Sequence, residues 1–328
     1  MLAVLRVSRP PQIPEFQAHP VRSALFNASV VTYDPYKQKV VDTITFEGIT
    51  HNEKLHIGGV AADPYTNLVT IVVDDAAPFA TRGKDVSGDN WIIKYDPDKK
   101  SVVWRLNITT YTGGKYGGFQ DIETDSRGNT YIVGTFPGTI LKVDKAGTAV
   151  TPWFVPAEIN STRTGYSGLA AVGDVLLAND GNARELHRFD LTADKGTPTK
   201  VNLSPATAPF TAGDAIYFPP KWGSKVLLAA DPSKGVTVLR SKDGLWKEAE
   251  NLGVIPLNVT VAGQGSAVPA AVQVGPDNVF MVIEYFGDAR VAGTTAGNRT
   301  SFPLVDITKE VNALLEAPFP VPPSLPTV

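Results

Sequence analysis

His56, Asp121 and Asp214 are the residues of this chain best suited to moving protons. His56 stands just before Gly58-Gly59, at the start of a small-residue apolar run, and Asp121 and Asp214 open two similar runs. An imidazole that titrates near neutral pH, paired with either carboxylate, would supply general acid–base catalysis. A plainer role stays open for each. The histidine would bond a loop carbonyl, and the aspartates would satisfy backbone N–H groups at strand entrances. Gln120, Ser167, Tyr116, Tyr166 and Glu284 are expected to bind the substrate, one of the two tyrosines orienting a substrate oxygen. Lys115, Arg163 and Gln264 would join the rim. Asp74 and Asp75 are adjacent, and two such carboxylates suit a hard cation. Successive strand residues point to opposite faces, however, so a solvated turn is expected there and no metal ligand is assigned. Asp180 and Asn182 read as turn residues. The chain contains no Gly-X-Ser-X-Gly elbow, P-loop, His-Glu-X-X-His or dinucleotide fingerprint.

The elements that must position these residues form a repeat. Each unit runs from a strand of small and apolar residues, through a turn of Asp, Pro and Gly, into a strongly apolar strand. A third strand follows, commonly apolar-x-basic-x-Asp, as in Ile92-Ile-Lys-Tyr-Asp and Ile140-Leu-Lys-Val-Asp. Aligned starts fall at Gly59, Asp121, Gly168, Asp214 and Ala271. Such spacing fits four-stranded propeller blades of roughly 40 to 50 residues with loop insertions. A small antiparallel sheet cannot cover both of its own faces, and stacking around an axis supplies the cover. No 10-to-15-residue helical pattern separates the strands, so a βαβ fold is excluded. A short helix is expected near Thr308 to Leu315. Ala28-Ser-Val-Val-Thr-Tyr-Asp and Lys39-Val-Val-Asp-Thr-Ile-Thr-Phe supply outer strands of a further unit. The expected fold is an all-β, six-bladed β-propeller whose first blade lacks evident inner strands. Residues 1–24 read as an N-terminal extension, 25–315 as one propeller domain and 316–328 as a Pro-rich tail. Residues at the inner-strand entrances would ring one mouth of the channel.

Composition narrows the function. A net charge of −3 gives no basic footprint for nucleic acid, and no apolar run is long enough to span a bilayer. Gly 29 and Pro 26 fit a turn-rich globule, and with Cys 0 neither disulfides nor thiolate chemistry is available. Asn-X-Ser/Thr occurs at Asn27, Asn107, Asn160, Asn202, Asn258 and Asn298. That exceeds the roughly two or three expected by chance and points to N-glycans and the secretory pathway. The apolar part of the N-terminus is too short for a signal peptide.

Leu55-His-Ile-Gly-Gly-Val-Ala-Ala-Asp-Pro, Lys115-Tyr-Gly-Gly-Phe-Gln-Asp-Ile, Glu284-Tyr-Phe-Gly-Asp-Ala and Thr294-Thr-Ala-Gly-Asn-Arg-Thr-Ser-Phe-Pro carry a resemblance. From Leu25 to Leu315 the chain resembles the fungal trichothecene-cluster propeller family. That resemblance implies secondary metabolism, a link to virulence, and by analogy closure of an oxygen ring on a sesquiterpenoid. In fold the chain is also similar to gluconolactonase, paraoxonase and strictosidine-synthase-like propellers, many of which hold calcium in the channel. Most of that ligand set is missing at the matching starts. Three readings follow: a cofactor-independent cyclase, isomerase or hydrolase acting on a small apolar oxygenated metabolite; a non-catalytic ligand- or protein-binding propeller; and a lactonase-like hydrolase using a divalent cation such as Ca2+.

Overall fold

The computed structural model describes residues 2–4, 21–34, 37, 39–63, 65–257, 267–285, 292, 299 and 302–317. These form six sheets in chain order, each a meander with its first strand innermost, except that the fifth gains an extra outer strand. The inner strands are Leu2–Val4, Leu55–Ala62, Gly117–Thr124, Tyr166–Val172, Ile216–Tyr217 and Ala267–Val274. Leu2–Val4 touches both the second and the sixth inner strands, which closes the ring. The molecule is therefore an all-β propeller. Five sheets hold four or more strands and the sixth holds three, so five complete blades replace the six expected. The short unit is the last one and not the first. Leu2–Val4 pairs with Val21–Ala24, both inside the segment read as an extension, and Val21–Ala24 pairs in turn with Ser29–Asp34.

The second strand of each blade explains the core. Every residue of Val69–Asp75, Thr130–Phe136 and Val226–Asp231 is buried, because sheets cover both faces of these strands. Such strands read as continuous apolar runs and not as alternation. They pack against their neighbours in five inter-blade clusters, such as Ile57, Ile71 and Val73 against Ala28 and Val30. Ile92, Ile122, Ile132 and Leu141 form the next. The basic residue of the third-strand motif is structural where it is buried: Lys94 donates to Asp63 at 2.8 Å and to Thr70 at 2.9 Å. Asp63 in turn accepts from the N–H groups of Tyr65 and Thr66, which fixes the preceding turn.

The passage from fourth to fifth blade is unusual. The fourth outer strand is only Thr199–Lys200. The chain then crosses, and Asn202–Ser204 adds in parallel to the fifth outer strand, Glu248–Pro256. Helix Thr308–Glu316 follows the last strand, Leu304–Asp306, and packs on the fifth and sixth sheets.

Candidate functional site

Antiparallel pairing brings two kinds of residue to one mouth of the channel, those that enter inner strands and those that leave second strands. His56 faces Asp74 across the second blade, Tyr166 faces Asp180 across the fourth, and Val268 faces Glu284 across the three-stranded sheet. Three successive inner strands carry a register shift here, at Ile57/Gly59, opposite Val133/Gly134, and at Tyr166/Leu169. A bulge re-aims the side chain it inserts. The inserted residues include Gly58, Gln120 and the Ser167-Gly168 pair. Glycine is needed at 168, since a Cβ there would stand 2.5 Å from the Asp214 carbonyl oxygen.

The bulges carry a hydrogen-bond chain across three blades. Gln120 Nε2 donates to Thr135 Oγ1 at 2.8 Å and to the Ser167 carbonyl at 3.1 Å. Ser167 Oγ donates to the Gly213 carbonyl at 2.9 Å. Asn179, 0% exposed, accepts from Gly168 N–H at 2.5 Å. Its Nδ2 donates to Ser167 Oγ at 3.0 Å and to the Asp214 carbonyl at 2.6 Å. Asp121 ties third blade to fourth by accepting from Leu169 N–H at 2.8 Å, and it also accepts from Ile122 N–H at 2.9 Å.

Three carboxyl groups share one electrostatic field at this mouth. Burial pushes the Asp214 carboxyl up to about 6, with the Asp121 charge adding to it. Burial also raises Glu284 well above the usual carboxylate range, reinforced by Asp214 and Asp121. Neither Asp214 nor Glu284 makes a side-chain hydrogen bond to the described residues. A carboxyl that keeps its proton above the usual carboxylate range can serve as a proton donor. Among the described residues no three Asp, Glu or His side chains are close enough to hold a metal ion.

The two expected tyrosines are buried among apolar side chains. Tyr116 is 4% exposed and sits among Ile92, Ile108 and Phe119 in an inter-blade cluster, away from the rim. Tyr166, also 4% exposed, packs with Trp153 and Phe189. Its hydroxyl lies 2.7 Å from His187 Nδ1, while His187 Nε2 lies 3.2 Å from Glu185 Oε2. The carboxylate can only accept, so Nε2 carries the proton and Tyr166 O–H donates to Nδ1. Tyr166→Phe should therefore cost about 1 kcal/mol in urea unfolding and leave binding at the mouth unchanged. His56 is 9% exposed, and its ring stands edge-on to Phe26 at 5.1 Å. Gln264 lies outside the described residues, as do Asn258 and Asn298.

Asp74 and Asp75 do not form the solvated turn expected of them; both are buried. Asp75 accepts from Ala77 N–H at 2.8 Å, just ahead of the short helix Ala77–Thr81. Asn179 and Thr135 are not among the expected site residues, because they lie at the exits of second strands and not at the entrances of inner ones. The signal was present: each strongly apolar strand ends on a polar residue, in Val73-Asp74, Gly134-Thr135, Ala178-Asn179, Ala230-Asp231 and Ile283-Glu284.

Residues 33–250 match the family described as Mal s 1 allergenic protein-like. The chain is 38% identical over 309 residues to "Trichothecene biosynthesis protein 14" of Trichoderma arundinaceum, covering 89% of this chain and 83% of that one. It is 31% identical over 311 residues to "Core trichothecene cluster (CTC) protein 14" of Fusarium sporotrichioides, covering 89% and 80%. Among solved structures, the allergen Mala s 1 of Malassezia sympodialis superposes with a TM-score of 0.72 at 20% identity, over 88% of each chain. A gluconolactonase of Xanthomonas campestris superposes at 0.51 with 15% identity, over 81% of this chain and 79% of that one. At these identities the two structures speak to architecture alone.

Proposed function

This chain belongs to the Mal s 1 allergenic protein-like family, with trichothecene-cluster proteins among its relatives, and on that footing we propose that it serves fungal secondary metabolism by binding a small, apolar, oxygenated metabolite at the channel mouth and moving a proton on it. The observation that carries this reading is the pair of carboxyls, Asp214 and Glu284, raised by burial and without side-chain hydrogen bonds to the described residues. In this reading Asp214 or Glu284 lends a proton to a substrate oxygen, and a mouth carboxylate takes one back. The outcome is a cyclisation, isomerisation or hydrolysis with no net redox change. Gln120 and Ser167 orient the oxygen, and His56 is a second proton carrier. The three-stranded sheet that bears Glu284 acts as a short sixth blade.

A thermal-shift screen against oxygenated sesquiterpenoids, sugar lactones and divalent cations tests the proposal, with Asp214→Asn and His56→Ala in parallel. A ligand that accepts a proton from Asp214 should stabilise the protein below about pH 6. Its affinity should fall up to tenfold per pH unit above that value. Stabilisation by calcium alone would shift the reading to a lactonase-like hydrolase. Secretion is part of the same proposal, with N-glycans at Asn160 and Asn202, whose side chains are exposed. A mass decrease of the fungal protein on endoglycosidase treatment checks it.

A second reading, a non-catalytic propeller that binds another protein, is favoured by one observation. Val40 and Val41 on the first outer strand and Val102 and Val103 on the second are exposed side by side, with Lys100 bridging to Asp42 at 2.8 Å. Absence of any small-molecule stabilisation would favour it.

A further inference from the structure

Asp74 leaves the second strand of the second blade where Asn179 leaves that of the fourth. Both side chains are fully enclosed, Asp74 with 1% exposure. Their hydrogen bonding is opposite. Asn179 satisfies a bulge N–H with its oxygen and the carbonyl of the next blade with its amide. Both carboxyl oxygens of Asp74 are buried without a hydrogen-bond partner among the described residues. The surroundings show what is missing. A Cβ on Gly58 would stand 2.8 Å from Asp74 Oδ1, 2.6 Å from the Phe119 carbonyl oxygen and 3.1 Å from Gln120 Cα. Asp74 thus meets the bulge of the third blade as Asn179 meets the Asp214 backbone of the fifth. An ionised carboxylate facing a carbonyl offers no donor, and burying a bare charge is costly. A carboxylic acid offers one O–H.

We propose that Asp74 is a protonated strut whose O–H ties the second blade to the backbone carbonyls of the Phe119–Gln120 bulge, the part that Asn179 plays between fourth and fifth blades. The strut is independent of any reaction at the mouth, although it braces the segment that carries Gln120 and Asp121. The charged and titratable groups around it are few. Asp75 follows on its own strand, His56 lies opposite on the inner strand, and Asp121 follows Gln120 on the third blade. Burial first, and the Asp75 charge second, act to keep the proton on.

The sign of the pH effect follows. Unfolded, Asp74 loses its proton near the ordinary value of about 3.9. Folded, it keeps the proton to higher pH, so the native state holds one more. Stability from this group is complete below about pH 4 and declines as pH rises towards the folded-state value, above which it is level. Asp74→Asn supplies the same donor without a proton to lose.

Urea unfolding of wild type, Asp74→Asn, Asp74→Leu and His56→Gln between about pH 4.5 and about pH 8 tests this. The wild-type folding constant, relative to that of Asp74→Asn, should fall by up to tenfold per pH unit as pH rises. Asp74→Leu, which lacks the donor, should be the less stable of the two Asp74 variants throughout. In wild type alone, amide exchange at Gly58 and Gly59 should gain an additional acceleration above the folded-state value. Parallel pH profiles for wild type and Asp74→Asn overturn the proposal. So does an Asp74→Asn protein that fails to fold, or a slope that disappears in His56→Gln instead.

Discussion

Asn179→Leu should lose about 3–4 kcal/mol of unfolding free energy, the largest stability change we expect from one substitution at the mouth. The leucine has similar volume, so packing is nearly kept, and the loss isolates three hydrogen bonds. Gly168 N–H, Ser167 Oγ and the Asp214 carbonyl would each lose a partner, the first of them fully buried. Each bond contributes about 1 kcal/mol net, and orphaned buried groups raise the cost. Asn179→Asp separates the two halves of the contact. It retains the acceptor for Gly168 but removes the donor to Asp214, which creates a second Asp74. Its stability should fall as pH rises, whereas the deficit of Asn179→Leu should not change with pH. Urea titrations at two pH values check both, and an Asn179→Leu protein within about 1 kcal/mol of wild type would contradict the account.

Asp214→Asn should reduce turnover of a metabolite substrate by about 10²–10⁴-fold while leaving its affinity within a few fold. The amide still offers a hydrogen bond to a substrate oxygen but has no proton to transfer. Glu284→Gln should behave similarly if it is the donor. Whichever variant keeps binding and loses turnover identifies the acid. Removing Asp214 also relieves Glu284, because the Asp214 charge helps to raise it, whereas Asp214 itself is raised by burial and by Asp121. The pH above which wild-type turnover declines, near 6 for Asp214, should move down in Asp121→Asn, which removes the charge that helps to raise it. Loss of binding together with turnover in both variants would mean that the carboxyls only hold the ligand. Equal turnover in all three proteins would place the chemistry elsewhere.

The propeller was legible in the sequence because its second strands, buried on both faces, stand out as dense apolar runs at a regular spacing. The entrances of the inner strands were legible for the same reason, and Gln120, Asp121, Ser167, Asp214 and Glu284 all lie at the mouth. What leaves those strands was not. Asp231 and Asp74 end similar runs, yet Asp231 accepts from Ser233 N–H at 2.8 Å and begins a turn, whereas Asp74 stays enclosed. Only the neighbouring blade distinguishes them. Tyr166 illustrates a second limit. It was expected on the rim as a residue just before an inner-strand start, but it is the first residue of that strand, and its hydroxyl is taken by His187. The first blade was hidden because strands of three and four residues are too short to show any period.

The crossing from Thr199–Lys200 to Asn202–Ser204 has a mechanical meaning. Most neighbouring blades are joined by a loop and by side-chain packing, which peel apart one contact at a time. Between fourth and fifth, the backbone itself is stitched: Asn202, Leu203 and Ser204 pair with Glu248, Ala249 and Glu250. A pull that separates these two blades must shear several backbone hydrogen bonds together. Under load, or in the earliest partial opening sampled by a protease, the two blades should therefore leave the ring as one piece.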